Sequence, residues 1–181
     1  MCCRFELSIN PKEVGNLYGK NLNIKFQPKK EIFPTDKILC YNGDFYLKTW
    51  GIKTDFYKRI IINARSEKIS KDGFFDYENR FLIPANGFYE WDINKTKYKI
   101  DIGENFSFVA VRSKQSDQLA LLTKKSYKNF LKIHDRIPVI VTKNENEAYL
   151  NENIKNLKLL IKQNQKNLNI KTISNEQLSF L

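Results

Sequence analysis

The sequence predicts an α+β fold: a β-rich single domain over residues 1–181, built on a mainly antiparallel sheet or open barrel with peripheral helices. Three observations lead to this prediction. Apolar residues alternate with polar ones over short segments, which is the period of a half-buried strand. Turn residues separate these segments, and few stretches show helical spacing. Hydrophobic residues make up 41% of the chain, enough for a packed core.

The elements follow one another without an internal repeat. Strands are predicted at residues 4–9, 38–40, 45–50, 80–84, 87–92, 97–102, 107–111, 120–122, 138–141 and 168–172. Helices are predicted at residues 11–17, 66–71, 126–132, 145–151 and 154–162. The helix at 145 has Thr142 or Asn144 as its candidate N-cap, and acidic residues in its first turn favour a helix start there.

The chain is strongly basic, with 31 Lys and Arg residues against 20 Asp and Glu residues and a net charge of +11. This charge favours a polyanionic partner such as nucleic acid, although a general abundance of Lys, Asn and Ile would also produce it. No apolar stretch approaches the ~20 residues of a membrane span. The first residues also lack the apolar core of a signal peptide. We therefore expect a cytoplasmic protein without membrane contact.

Three cysteines and one histidine limit the possible metal chemistry. An odd number of cysteines, two of them adjacent at Cys2 and Cys3, argues against a disulfide framework. Cys2, Cys3, Cys40 and His134 also lack the short ligand spacings that are typical of zinc sites. The sequence therefore disfavours a zinc site from these residues, and predicts cysteines that are either core residues or reactive ones.

Cys2 follows the initiator methionine directly, so removal of Met1 would produce a chain that begins with a 1,2-aminothiol. The amine and the thiol have ordinary pKa values of ~7.7–8 and ~8.5, so both have a nucleophilic fraction at neutral pH. Together they suit attack on an aldehyde, in which the amine forms a Schiff base and the thiol closes a thiazolidine. The alternative is a small terminal residue without chemical function.

Polar residues interrupt apolar or aromatic runs at three further places. His134 lies between a predicted helix and a predicted strand, and is either a general acid or base or a structural residue. Glu90 lies in Gly-Phe-Tyr-Glu-Trp at 87–91, where its carboxylate is either desolvated and suited to proton transfer or paired with an arginine. Asn63 and Arg65 offer an amide and a guanidinium, or the start of a helix with surface ion pairs.

Basic and aromatic side chains offer candidate contacts to nucleic acid. Three lysines fall at i, i+4 and i+8, which predicts either a phosphate-facing stripe or a solvated helix face: Lys124, Lys128 and Lys132. Three aromatic residues are expected either to stack on unpaired bases or to lie in the core: Trp50, Phe88 and Trp91.

Four separated segments together resemble the signatures of the SOS-response-associated peptidase (SRAP) family, the abasic-site shielding proteins. They are Met-Cys-Cys-Arg-Phe at 1–5, Asn-Ala-Arg-Ser-Glu at 63–67, Pro-Ala-Asn-Gly-Phe-Tyr-Glu-Trp at 84–91 and Ile-His-Asp-Arg-Ile-Pro at 133–138. Trp-Gly-Ile at 50–52 and Phe-Pro-Thr at 33–35 are similar to the family's Trp-Gly-Leu strand and Ala-Pro-Thr turn. The segments occur in the family's order and span nearly the whole chain.

The resemblance implies the SRAP fold and an enzyme of the DNA damage response that crosslinks to abasic sites in single-stranded DNA without a metal or cofactor. Cys2 would be the nucleophile that forms the thiazolidine, and Glu90 would move protons at its amine. His134 would assist opening of the sugar ring, and Asn63 would position the crosslink. The DNA-binding residues that we expect are Arg4, Trp50, Arg65 and Arg136, the last two as phosphate-gripping guanidinium groups.

Two residues depart from the family pattern. Cys3 stands where the family usually has glycine, so a second thiol lies beside the nucleophile. Glu31 stands where the family often has asparagine, and its negative charge would weaken a DNA contact. Two other functions stay open: a thiol peptidase with Cys2 as nucleophile, and a non-covalent single-strand DNA-binding module. We expect a monomer in each case.

Overall fold

The computed structural model of the protein describes residues 3–55, 58–69 and 73–173. The strands are β1 (Arg4–Leu7), β2 (Lys29–Ile32), β3 (Lys37–Tyr41), β4 (Phe45–Thr49), β5 (Asn63–Arg65), β6 (Phe75–Ala85), β7 (Gly87–Trp91), β8 (Lys97–Asp101), β9 (Phe106–Ser113), β10 (Leu119–Lys125), β11 (Arg136–Pro138), β12 (Ile140–Val141) and β13 (Asn169–Ile173). The α-helices are α1 (Pro11–Tyr18), α2 (Asn146–Asn151) and α3 (Ile154–Gln163). The 3₁₀ helices are η1 (Ser66–Lys68), η2 (Lys128–Lys132) and η3 (Lys143–Glu145).

The strands form two sheets. The five-stranded sheet has the order β13-β8-β7-β1-β2, and the eight-stranded sheet has the order β11-β10-β9-β6-β3-β4, with β12 joined to β9 and β5 joined to β10. The pairing of named strands is antiparallel apart from β5 with β10. The predicted β-rich α+β class is therefore confirmed, as two sheets and not as a closed barrel. No helix within the described residues is long and apolar enough to cross a membrane.

The chain passes from one sheet to the other at Asn86, between β6 and β7. The Asn86 backbone N–H donates to the carbonyl oxygen of Glu6, at 3.0 Å. Its side-chain oxygen accepts from the backbone N–H of Ser8, at 2.8 Å. These bonds attach the corner to the end of β1, so β1 and β7 are held together at the boundary between the two sheets.

An aromatic cluster fills the space between the sheets. We define it as Phe5, Trp50, Phe88, Phe108 and Phe130, all of which are fully buried. The Phe108 ring, from the eight-stranded sheet, lies 5.6 Å from Phe5 and 5.9 Å from Phe88, both in the five-stranded sheet. The tilted and edge-to-face geometries at these separations are favourable for aromatic rings. The cluster therefore joins the two sheets directly.

The opposite face of the eight-stranded sheet is covered by α2 and α3, which contribute Tyr149, Leu157 and Ile161 to a second core. Arg80 on β6 attaches α2 to this face. Its charged side chain is unusually buried, with only 1% of the residue exposed. Its guanidinium donates to the carbonyl oxygens of Tyr149 at 2.6 Å and Leu150 at 2.7 Å. A buried cation thus satisfies carbonyl groups at the end of the helix.

Every predicted strand overlaps an observed one, but two helix predictions need correction. At 66–71 the structure has η1, and residues 70–72 lie outside the described part of the chain. At 126–132 it has η2, which begins at Lys128 with a φ of 50°, a value that an α-helix does not allow. Lys124 lies on β10, so the predicted helical lysine stripe does not form.

We expect Arg80→Leu to lower the free energy of unfolding by roughly 3 kcal/mol or more, because buried carbonyl groups lose their donor. The matched control is Arg112→Leu. Arg112 pairs with Asp76 at a partly exposed position, so its loss should cost less than about 1 kcal/mol. Denaturant unfolding of both variants measures the difference, and equal effects would contradict the assignment of Arg80 as the anchor of α2.

Candidate active site

The aromatic cluster holds the motif segments in one region of the molecule. Phe5, in the first motif, contacts Trp50 at a ring distance of 5.2 Å. Phe88, two residues before Glu90, contacts Phe130 of η2 at 6.0 Å. The backbone N–H of His134 then donates to the Phe130 carbonyl oxygen at 3.1 Å. Segments that are far apart in sequence thereby share one set of packed rings.

The N-terminal segment runs directly alongside Glu90. In the antiparallel pair of β1 and β7, Arg4 lies opposite Tyr89 and Phe5 lies opposite Phe88. Cys3 and Glu90 are the next residues beyond the Arg4–Tyr89 pair, and Glu90 is only 4% exposed. Burial and the negative charge of Glu90 raise the pKa of the Cys3 thiol. Cys2, bonded to Cys3, lies outside the described residues.

His134 is held so that its imidazole remains partly exposed. The backbone N–H of Arg136 donates to His134 Nδ1 at 3.0 Å, and Asp135 Oδ1 lies 2.8 Å from the same nitrogen. These contacts orient the ring, and an oriented imidazole at a partly exposed position is a suitable general acid or base.

Asn63 and Arg65 lie on the short strand β5, which pairs in parallel with β10. Ala64, between them, is buried in the second core, so the two polar side chains point away from that core. The indole N–H of Trp50 donates to the carbonyl oxygen of Ile62 at 3.0 Å and fixes the start of this strand. Asn63 is half-buried and Arg65 is exposed.

Arg4 lies in a small surface cluster beside this region. Its guanidinium lies 4.7 Å from the centre of the Phe33 ring and 5.0 Å from that of Trp91. Glu31 accepts from Arg4 at 3.3 Å and also pairs with Lys97. We call these five residues the Arg4 cluster. Lys97 was not predicted, because its place opposite Trp91 depends on the β7–β8 register.

Comparison with known proteins identifies the family. Residues 1–177 match the family model SRAP, described as SOS response associated peptidase. The chain belongs to the SRAP family. The resemblance carried by the four sequence motifs is thus confirmed over nearly the whole chain.

The SRAP chain has relatives in bacteria and in solved structures. It is 26% identical over 183 residues to the abasic site processing protein YoaM of Bacillus subtilis, covering 83% of this chain and 79% of that protein. For the abasic site processing protein YoqW of the same organism, the identity is 27%, over 83% and 80% of the two chains. A phage-related protein of Bordetella bronchiseptica has a TM-score of 0.80 at 19% identity, covering 96% of this chain and 95% of that one. A Bacteroides thetaiotaomicron protein has a TM-score of 0.80 at 17% identity, covering 98% and 94%.

Two of the predicted DNA contacts in this SRAP protein lie at buried positions. Trp50 is fully buried and offers no face to a base, so its position is that of a core residue. Arg136 is also buried, and its guanidinium donates to Glu67 at 3.0 and 2.8 Å and to the Thr123 carbonyl oxygen at 2.8 Å. This internal bidentate pairing joins Arg136 to the η1 segment, and the predicted phosphate contact of Arg136 stays a prediction.

Trp50 instead organises the turn at residues 33–35. The Thr35 backbone N–H donates to the Trp50 carbonyl oxygen at 2.7 Å, and the Trp50 backbone N–H donates to the Asp36 carbonyl oxygen at 3.0 Å. Thr35 has a φ of 81°, which is unusual and strained for a β-branched residue. The surrounding bonds hold this turn, and with it Phe33 of the Arg4 cluster.

We expect Trp50→Phe to lower the free energy of unfolding by about 2 kcal/mol, because the bond to Ile62 and some core volume are lost. The affinity of the folded protein for an intact single-stranded oligonucleotide should stay the same. Trp91→Leu is the matched variant, and should weaken that affinity at a smaller cost in stability. Denaturant unfolding and fluorescence anisotropy measure the two effects. If folded Trp50→Phe lost affinity for the oligonucleotide and Trp91→Leu did not, the result would support a direct contact between Trp50 and DNA.

Proposed function

We propose that this protein processes abasic sites in single-stranded DNA by a covalent mechanism and shields them in the DNA damage response. Removal of Met1 would expose Cys2, whose amine and thiol would react with the aldehyde of the abasic sugar. The observation that carries this proposal is the pairing of Arg4 with Tyr89 at the start of β1, next to Cys3 and to the buried carboxylate of Glu90, whose charge acts on the Cys3 thiol. The names of YoaM and YoqW, abasic site processing proteins, support the same substrate.

The proposed chemistry releases one water molecule. The Cys2 amine adds to the aldehyde carbon, and loss of water produces a Schiff base. The thiol then adds to the imine carbon while the nitrogen takes up the thiol proton, which closes the thiazolidine ring. We assign proton movement at the amine to Glu90 and ring opening of the sugar to His134. Asn63 would orient the crosslinked residue.

DNA binding would use the cations that remain accessible near this region. Arg65 is exposed, and no ion pair joins it to a carboxylate within the described residues. It is therefore the strongest candidate for a phosphate contact. Arg4 and Trp91 would contribute a guanidinium and an aromatic face beside Glu90. The net charge of +11 would add long-range attraction to the strand.

The test is crosslinking of Met-processed protein to an oligonucleotide with one abasic site, resolved on a denaturing gel. Wild type and Cys3→Ser should form a heat-stable adduct. Cys2→Ala and Cys2→Ser both keep the terminal amine and lose the thiol, so their adducts should survive only after borohydride reduction of the Schiff base.

The controls separate this mechanism from its alternatives. An intact strand should give no adduct, and mass spectrometry should confirm that Met1 is absent. If processed wild-type protein forms no adduct, the covalent proposal is wrong. Equal adducts from wild type and Cys2→Ala would assign the reaction to another residue, and cleavage of a peptide substrate that depends on Cys2 would favour a peptidase.

Glu31 leads to a separate prediction about DNA affinity. Its carboxylate pairs with both Arg4 and Lys97, in the position that a DNA phosphate would take on these cations. We expect Glu31→Gln to tighten binding of an intact single strand several-fold at low salt. The logarithm of the binding constant should also fall more steeply with the logarithm of the salt concentration, by the release of about one more counterion.

The control for this prediction is Glu104→Gln, which removes the same charge from an exposed position between β8 and β9. Fluorescence anisotropy over a range of salt concentrations compares the two variants. If both variants change the affinity equally, the effect comes from net charge and Glu31 does not compete with DNA.

A further inference from the structure

A pocket of about 430 Å³ lies between the C-terminal end of β10 and helix α3. We call it the α3 pocket. Its lining includes four lysines and an apolar wall: Lys124, Lys125, Lys158, Lys162, Tyr127 and Ile161. Its volume suits a ligand of the size of a mononucleotide.

Lys124 is the unusual member of this lining, because it is a lysine that is only 7% exposed. Its ammonium donates to the carbonyl oxygen of Ile161 at 3.3 Å and lies 4.8 Å from the centre of the Tyr127 ring. Within the described residues, no carboxylate forms an ion pair with it. Burial, with a smaller contribution from Lys166, lowers the pKa of Lys124 to about 8. An entering anion would compensate for this buried charge.

The other charges around the pocket are also mostly positive. Lys158 and Lys162 are four residues apart on α3, so their side chains are neighbours on one face and repel each other. Lys125 is exposed on the rim. Glu67 is the acidic residue of the lining, and it is already paired with Arg136. The pocket therefore keeps an excess of positive charge that favours an anion.

The remaining groups indicate what kind of anion would fit. The hydroxyl oxygen of Ser126 lines the pocket, is buried, and has no hydrogen-bond partner within the described residues. Tyr127 and Ile161 provide apolar surface next to the cations. We propose that the α3 pocket binds a nucleotide, with its phosphate at Lys124, Lys158 and Lys162 and its nucleoside against Tyr127.

The α3 pocket is separate from the proposed reaction site. Successive residues of β10 point to opposite faces of the sheet, so Lys124 faces α3 while Thr123 faces Arg136. The inference therefore goes beyond the proposed function and does not depend on the reactivity of Cys2. The two regions meet at the Glu67–Arg136 pair, since the Arg136 backbone N–H also holds His134, and at Ser66, which follows Arg65.

Isothermal titration calorimetry with thymidine 5′-monophosphate, inorganic phosphate and thymidine tests the proposal on the intact chain. The monophosphate should bind more tightly than phosphate, and thymidine should not bind. Lys124→Met keeps the apolar stem and should weaken monophosphate binding about tenfold or more. The double variant Lys158→Gln and Lys162→Gln should also weaken it. Lys171→Gln, on exposed β13 in the other sheet, should leave it unchanged.

The pH dependence gives a second readout. Between pH 7 and 9 a phosphate monoester stays a dianion, since its second pKa is ~6. Affinity in wild type should therefore fall as pH rises through the pKa of Lys124, which is about 8. Other titratable groups line the same pocket, namely Glu67, Lys125, Tyr127, Lys158 and Lys162, and the charge of Lys166 also acts on Lys124. The loss of affinity that is due to Lys124 is therefore the part of the pH dependence that disappears in Lys124→Met.

Competition distinguishes the source of the nucleotide. Displacement of the monophosphate by an intact oligothymidylate would assign the pocket to a nucleotide of the DNA strand, and failure to displace it would assign the pocket to a free nucleotide. The proposal is overturned if wild type does not bind the monophosphate, if folded Lys124→Met binds it as tightly as wild type, or if Lys171→Gln weakens binding equally.

Discussion

The contact of Phe108 with Phe5 and Phe88 is the interaction on which the arrangement of this protein depends, because it joins the two sheets through buried rings. Phe5 then positions Trp50, and Phe88 positions Phe130 and the segment that ends at His134. Phe88 lies two residues before Glu90, and Phe130 lies four residues before His134. The packed rings therefore place Glu90 at a buried position and leave His134 partly exposed.

This arrangement explains how the motif Gly-Phe-Tyr-Glu-Trp combines a packed core residue with the carboxylate that we propose for proton transfer. On β7, Phe88 enters the aromatic cluster, and Glu90 follows on the same face two residues later. Glu90 is thus buried by the same packing that fixes β1 beside it. A loosened cluster would disturb Glu90 and the N-terminal segment together. Core substitutions here are expected to affect reactivity and stability at once.

Local patterns in the sequence were sufficient to predict most strands, because the alternation of apolar and polar residues and the position of turn residues can be recognised within short segments. They were not sufficient for β2, whose first three residues are charged and which becomes a strand only by pairing with β1. Similarly, the i, i+4 spacing of Lys124 and Lys128 suggested a helix, and the pairing of β10 decided otherwise. The sequence could not show whether Trp50 was exposed, since its burial depends on Phe5, 45 positions away.

The arginines show the same limit in electrostatic terms. Motif spacing could identify Arg65 and Arg136 as candidate phosphate ligands, but only the fold decides which guanidinium is already satisfied. Arg136 is held by Glu67, 69 residues away in sequence, whereas Arg65 remains exposed. The pairing of Arg136 also fixes the backbone that holds the His134 ring. His134 is held by the Arg136 backbone N–H, whereas the Arg136 guanidinium is occupied by Glu67 and Thr123, so a phosphate drawn to this guanidinium would have to replace those buried bonds first.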